Sequence, residues 1–461
     1  MNEKPIIKTF FYKNRFFMYT PYSNNLLRIT PDQFKQLKDL EFLGINEYLQ
    51  KNNEIPECHD IVSLIENGFI TGPFIEEVKH PSTDYYNTIT NRGVQRLILQ
   101  VTQKCNFACR YCHNIHSRSA RFLTERLDMS WDIAKKSVDY FINHSQDSES
   151  VDIYFYGGEP LLNFSLIKHV VEYTNMRINT KEVTYHITTN ASLLTEKMAI
   201  FLEANRFKIA ISLDGDKERQ NWARKFANGN ATFDVVWKNV QMLLSIFKGH
   251  SEDLLFLPVV FIDEDKQFVQ QFFKSKGINR SQILFLNANT SGIDYMHGVL
   301  QAETENEGVI DTKWVKYDSV DDDEFNEFLK KYADKRGVSK IWHHAGTCIP
   351  GYFKIFVNAK GLFYPCENAP ECSDICIGNV SNGINAERAI RLLNIGSLSK
   401  NGCVNCWAVR FCRMCALFCV DEEKKCISRE IKQLNCDSYK NHALKLLKKY
   451  VDYYYQGGNN D

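Results

Sequence analysis

The chain has 461 residues, a length that favours two or three domains with ordinary hydrophobic cores over a small stapled scaffold. Its 56 Lys plus Arg balance 56 Asp plus Glu, which excludes the basic excess of a nonspecific nucleic-acid or acidic-membrane binder. No apolar run approaches the ~18 residues of a membrane span, and no signal-peptide pattern opens the sequence, so a soluble cytoplasmic protein is expected, with neither nucleic acid nor membrane as partner.

Residues 1–85 read as a small unit of their own. KTFFYKNRFFMYTP places two aromatic runs around a Lys-Asn-Arg turn, which predicts a hairpin, and RITPDQFKQLKDL predicts a helix capped by Thr30 with Pro31 as its first residue. A second helix, DIVSLIENGFI, ends at Gly68 and leads into a short strand. Residues 93–290 alternate short apolar strands (RLILQVT, VDIYFY, VTYHITT, FKIAISL, LLFLPVVFI, ILFLNAN) with helical stretches such as SWDIAKKSVDYFINH behind a Ser130 cap. Six such alternations predict a parallel α/β sheet, open or curved into an incomplete barrel, with its chemistry at the strand C-terminal ends. Residues 291–345 form a polar connector in which VDDDEFNEFLKKYADK reads as one surface helix. Residues 346–440 are cysteine-rich, and 441–461 are a helix, HALKLLKKYVDYYY, with a polar tail.

Of 15 cysteines, 11 lie in the 89 residues from Cys348 to Cys436. An odd count without an export signal favours metal or iron-sulfur ligation over disulfides. At the end of the first barrel strand, CNFACRYC sets Cys105, Cys109 and Cys112 in a CxxxCxxC loop, a spacing that can hold three irons of a cubane and leave the fourth open. This loop resembles that of the radical S-adenosylmethionine (SAM) superfamily. The resemblance implies that SAM binds the open iron of a [4Fe-4S] cluster and is cleaved to a 5'-deoxyadenosyl radical.

Later strand ends extend the resemblance. YGGEP (Gly157, Gly158, Glu159, Pro160) looks like the superfamily's GGEP segment, whose glycines admit the methionyl moiety and whose carboxylate pairs with its ammonium. In TTNA, Asn190 resembles a ribose-contacting Asn, with Ala191 where Gly is usual; in SLDG, Ser212 fits a ribose or carboxylate contact and Asp214 lies at the mouth. Tyr111 matches the position flanking the adenine. A three-cysteine zinc site is the bland alternative for the loop.

The cysteine-rich region resembles the SPASM domain, the auxiliary-cluster extension of peptide-modifying radical SAM enzymes. Cys348, Cys366 and Cys415 are assigned to a first auxiliary [4Fe-4S] cluster, which Cys372 or Cys376 could complete. Cys415 falls one residue early, Ala416 standing at the usual position. Cys403, Cys406, Cys412 and Cys436 are assigned to a second, leaving Cys419, Cys426 and Cys58 as ordinary thiols; a zinc ribbon is the alternative for CVNCWAVRFCRMC.

The fold class that follows is α/β: a partial (β/α)6 radical SAM barrel, an N-terminal winged-helix-like peptide-recognition domain and a C-terminal SPASM domain. CIPGYFKIFVNAKGLFYPCE, IGNV and CxxCWAxxxCxxC look like the sactipeptide and ranthipeptide thioether synthases. That implies a maturase that links Cys sulfur to carbon in a ribosomally made precursor, whose leader pairs with the N-terminal unit, and that draws electrons from a reductase or flavodoxin-type donor. The auxiliary clusters would hold substrate sulfur or accept the electron left after bond formation. Rival readings are a carbon-carbon or carbon-oxygen cross-link, sulfatase-type formylglycine formation and, most distantly, a non-enzymatic zinc module.

Overall fold

The computed structural model describes residues 3–112, 126–261, 264–287, 325, 329–330, 339–343 and 348–456; most of the expected connector, with its surface helix, and residues 457–461 lie outside them. At the N-terminus β1 (Lys8–Tyr12), β2 (Arg15–Thr20) and β3 (Asn25–Ile29) form an antiparallel meander in that order. Lys13 and Asn14 stand at φ 45° and 59°, the two positive dihedrals that a two-residue primed turn requires. The predicted hairpin is therefore real but belongs to a three-stranded sheet, because a second turn through Asn24, at φ 52°, returns the chain once more.

Next come α1 (Pro31–Leu43), α2 (Ile45–Asn52) and α3 (His59–Glu66). Thr30 caps α1 as expected: its Oγ1 accepts from Gln33 N at 3.1 Å, and Gln33 Oε1 accepts from Thr30 N at 2.9 Å. The two faces of the small sheet bury different partners. Met18 and Ile29 pack with Leu37, Leu40 and Ile61 of the helices. Phe10, Phe17 and Tyr19 pack with Phe411, Ala443 and Leu447 of the cysteine-rich end of the chain.

A short strand, β4 (Glu77–Val78), and α4 (Tyr86–Thr90) lead into the barrel, whose elements alternate as predicted. They are β5 (Arg96–Thr102), α5 (Trp131–His144), β6 (Ser150–Gly157), α6 (Phe164–Arg177), β7 (Glu182–Thr189), α7 (Glu196–Ala204), β8 (Lys208–Ile211), α8 (Lys217–Ala223), α9 (Phe233–Ile246), β9 (Leu254–Phe256), β10 (Val259–Val260), α10 (Glu264–Ser275) and β11 (Leu286–Asn287). Strands β5 to β9 pair in parallel in chain order. The sixth run pairs with β10 and reaches β9 through a parallel bridge between Ile283 and Phe256. Phe155, Phe207 and Phe256 are wholly buried between sheet and helices, each ring worth about 1.5–3 kcal/mol of burial.

The sheet does not stop at its first strand. After β12 (Ile341–Trp342), which pairs with β4, the chain forms β13 (Lys354–Val357), β14 (Leu362–Tyr364), β15 (Gly378–Asn379) and β16 (Gly383–Ile384). Strand β13 pairs in parallel with β5, Lys354 opposite Arg96, and β14 to β16 follow antiparallel, giving a nine-stranded sheet. The cysteine-rich region is thus fused to the barrel edge through main-chain hydrogen bonds. It continues through α11 (Ala386–Leu393), α12 (Lys400–Val404), β17 (Val420–Asp421) and β18 (Cys426–Ile427) to α13 (Arg429–Gln456). Helix α13 is continuous across the expected boundary at 440/441, so Ala443 and Leu447, which pack on the N-terminal sheet, and Cys436 share one helix.

Candidate functional site

Four successive strand ends meet around the CxxxCxxC loop. Cys105, Cys109 and Cys112 follow β5 and lie close enough for their charges to interact. Burial pushes the Cys105 thiol up to about 12 and raises Cys109 as well, so iron, which takes thiolates, would displace their protons. The loop is pinned from outside by the segment after α8: Arg110 N donates to Ala223 O at 2.9 Å, Ala108 N to Lys225 O at 2.8 Å, and Ala227 N to Asn106 O at 2.9 Å.

The glycines of YGGEP meet the protein's own backbone. A Cβ on Gly157 would lie 2.1 Å from Thr102 O, and one on Gly158 2.2 Å from Lys104 O. Their missing side chains let this strand end press on the backbone that leads into the cysteine loop. Gly158 N donates to Thr102 O at 3.0 Å and Glu159 N to Lys104 O at 2.8 Å. Gly157 also holds φ 148°, which L side chains rarely adopt. Pro160 is buried just beyond.

Glu159 is wholly buried, and the protein fills its carboxylate: Oε1 accepts from Thr189 Oγ1 at 2.6 Å and Leu161 N at 3.1 Å, and Oε2 from Asn190 N at 2.7 Å. Burial pushes its carboxyl up to about 7 against the pull of these donors. In this structure the residue ties β6 to β7. Asn190 is tied in turn: its Nδ2 donates to Asn106 Oδ1 at 2.9 Å, and its Oδ1 accepts from Ser192. Ala191 stands at φ 59°, which explains why glycine suits that position. Ser212, half-buried after β8, accepts no hydrogen bond on Oγ among the described residues.

Asp214 is not at an open mouth. It is fully buried, accepting from Tyr111 Oη at 2.6 Å and Val259 N at 2.9 Å and pairing with Arg224 at 3.1 Å. The Arg224 guanidinium lies over the Tyr111 ring, 5.1 Å from its centroid, and is close enough to Cys109 for their charges to interact. Tyr111 and Asp214 are therefore parts of a buried Tyr-Asp-Arg cluster under the loop. Sequence reasoning missed Arg224, Asn106 and Thr189; nothing local marks the arginine, since its partner is ten residues away across α8.

Among the remaining cysteines, members of each expected set come within reach of one another's charge, and Cys419 reaches Cys415 of the first set and Cys403 and Cys436 of the second. The Cys415 thiol, pushed up to about 11 by burial, interacts with Cys366 and Cys348. Cys372 and Cys376 are buried in the core, Cys376 Sγ donating to Gly378 O at 3.3 Å. Cys403, Cys406, Cys412 and Cys436 interact with one another, and burial pushes Cys412 up to about 12. Cys58 and Cys419 are buried thiols, hydrogen-bonded to Asn52 Oδ1 and Cys415 O, while Cys426 on β18 is half-buried. Among the described residues no three His, Cys, Asp or Glu side chains are arranged around one metal ion. In a cubane each thiolate meets its own iron, and these donor sets, all thiols and with the exception of the exposed Cys348 at least half-buried, fit that chemistry.

A parallel barrel with three cysteines at its first strand end defines a class, and comparison names it. Residues 99–272 match the family model described as the radical SAM superfamily, and the chain carries a radical SAM domain. The cofactor pair of that domain is a [4Fe-4S] cluster and SAM. The chain is 37% identical over 145 residues to an uncharacterized protein of Methanocaldococcus jannaschii, covering 31% of this chain and 47% of that protein. It is 22% identical over 433 residues to the radical SAM cyclopropyl synthase TigE of Paramaledivibacter caminithermalis, covering 88% of this chain and 85% of that one. The native anSMEcpe structure with bound AdoMet shares the fold, with a TM-score of 0.50, 21% identity, and coverage of 77% of this chain and 98% of that one. The chain is also similar to the serine-type anaerobic sulfatase-maturating enzyme of Bacteroides thetaiotaomicron, 28% identical over 148 residues, covering 32% of this chain and 36% of that one. Among the described residues no helix is long and apolar enough to cross a membrane.

Proposed function

We propose that this chain is a SPASM-type radical SAM peptide maturase that links a Cys sulfur to a carbon of a ribosomally made precursor peptide. What supports the reading is that two sets of cysteines, 348/366/415 and 403/406/412/436, come within reach of one another's charge on a region built onto the barrel's first strand. Cys105, Cys109 and Cys112 would hold the SAM cluster, and the two groups would hold auxiliary [4Fe-4S] clusters. When bound, these groups supply one-electron cleavage of SAM, hydrogen abstraction from the peptide and storage of an electron.

The chain's own residues do the rest. Ser212 offers a hydroxyl to the bound ligand. Glu159 and Asn190 fix the strand ends that face it, and the Tyr111–Asp214–Arg224 cluster holds the floor of the loop without leaving a bare charge under it. The meander of residues 1–85 suits a leader peptide, which would add to the edge strand β3. A cytoplasmic reductase or flavodoxin-type protein would supply electrons.

The test is anaerobic incubation of the reconstituted enzyme with SAM, a reductant and a Cys-containing peptide encoded beside its gene. A thioether product is lighter by two hydrogens per link and has one Cys fewer open to alkylation after disulfide reduction. A second reading, carbon-carbon bond formation, is favoured by the similarity to TigE along 88% of the chain. It predicts the same mass loss with every Cys still alkylatable.

A further inference from the structure

Lys432, on the first turn of α13, is 1% exposed. Its Nζ donates to Ser399 Oγ at 2.5 Å and to Cys403 Sγ at 3.3 Å, and its charge also reaches Cys412, Cys419 and Cys436. No carboxylate pairs with it among the described residues. A buried ammonium is costly unless an anion compensates it, and here the candidates are thiols. Arg224, beside the SAM-loop cysteine Cys109, is different: Asp214 neutralises it at 3.1 Å. One cysteine group therefore sits beside an uncompensated positive charge and the other beside a compensated one.

We propose that Lys432 is a positioning residue for the second auxiliary cluster: it hydrogen-bonds the Cys403 ligand, and its fixed charge raises that cluster's reduction potential. A cation beside a cluster favours the more negative reduced state, and hydrogen bonds to ligand sulfur act in the same direction. Ser399 Oγ accepts from the same ammonium and lies 3.6 Å from Cys403 Sγ, so hydroxyl and thiol meet Lys432 together. This rests on the reading that Cys403, Cys406, Cys412 and Cys436 hold an iron-sulfur cluster.

The experiment is a redox titration of the anaerobically reconstituted full chain followed by EPR, with the second cluster's signal identified as the one lost, with its iron, in Cys412→Ala. In Lys432→Met the iron should stay and the equilibrium for reducing that cluster should fall at least tenfold, about 59 mV for one electron. Lys432→Arg should hold the wild-type value more closely than the Met variant does. A Met variant with its iron intact and an unchanged potential overturns the inference and leaves the cluster reading standing. If Cys412→Ala loses neither iron nor signal, the cluster reading falls and takes the inference with it. If the Met variant does not assemble, Lys432→Gln and Ser399→Ala carry the test, and unchanged potentials in both overturn the inference.

Discussion

The loop after β5 and the 403–436 group both bury thiols beside a cation, yet they are built on different electrostatic plans. Under the loop, Arg224, Asp214 and Tyr111 close on one another, so the protein brings little net charge to the cysteines. In the second group Lys432 meets a hydroxyl and thiols alone among the described residues. The first arrangement is complete in the bare polypeptide; the second is complete only once its cysteines carry negative charge. Under the proposed function, one site would be organised before its cofactor arrives, whereas the other would depend on its cofactor for compensation.

This difference can be broken at several points. Asp214→Asn should have the largest effect on stability, lowering that of the cluster-free protein by about 3–5 kcal/mol, because Arg224 is left charged and buried. A shift of the urea midpoint to lower concentration checks it; an unchanged midpoint means that the guanidinium finds another partner. Gly158→Ala should cost about 1–3 kcal/mol, since its Cβ meets the Lys104 carbonyl at 2.2 Å, and it should also loosen the loop's hold on iron. Iron retained after desalting reads the second effect.

Lys432→Met provides the sharpest contrast with Asp214→Asn. In the cluster-free protein burial raises the Cys412 and Cys436 thiols, so the ammonium has no anion, and its removal should be neutral or stabilising by about 1 kcal/mol. A loss as large as that of Asp214→Asn would show that the two sites follow one plan after all. The smallest effect is Ala191→Gly, which relieves a left-handed φ of 59° and should gain about 0.5 kcal/mol in the same urea experiment, offset by the freer unfolded chain.

Much of this was legible in the sequence, for identifiable reasons. The cysteine loop, Glu159, Asn190 and Ser212 lie within a few residues of strand ends, where period-two apolar runs stop, and the caps at Thr30 and Ser130 are local signals. What escaped notice depends on contacts distant in sequence. The addition of β13 to β5 joins residues some 250 positions apart, and the packing of Phe17 on Leu447 spans the whole chain. Arg224 acts through Asp214, whose motif position suggested an exposed role. Lys432 could have been found: it precedes Cys436 by four residues, one helical turn, and so shares a face with that ligand.

The central claim is that three cysteine groups do three separate jobs, and iron analysis paired with SAM cleavage tests it most directly. The reconstituted chain should hold three [4Fe-4S] clusters, about twelve iron atoms, and the Cys105/Cys109/Cys112→Ala and Cys403/Cys406/Cys412/Cys436→Ala variants should each lose about four. Only the first variant should also fail to form 5'-deoxyadenosine from SAM under reducing conditions. Reductive cleavage that persists without Cys105, Cys109 and Cys112 would contradict the assignment of the site.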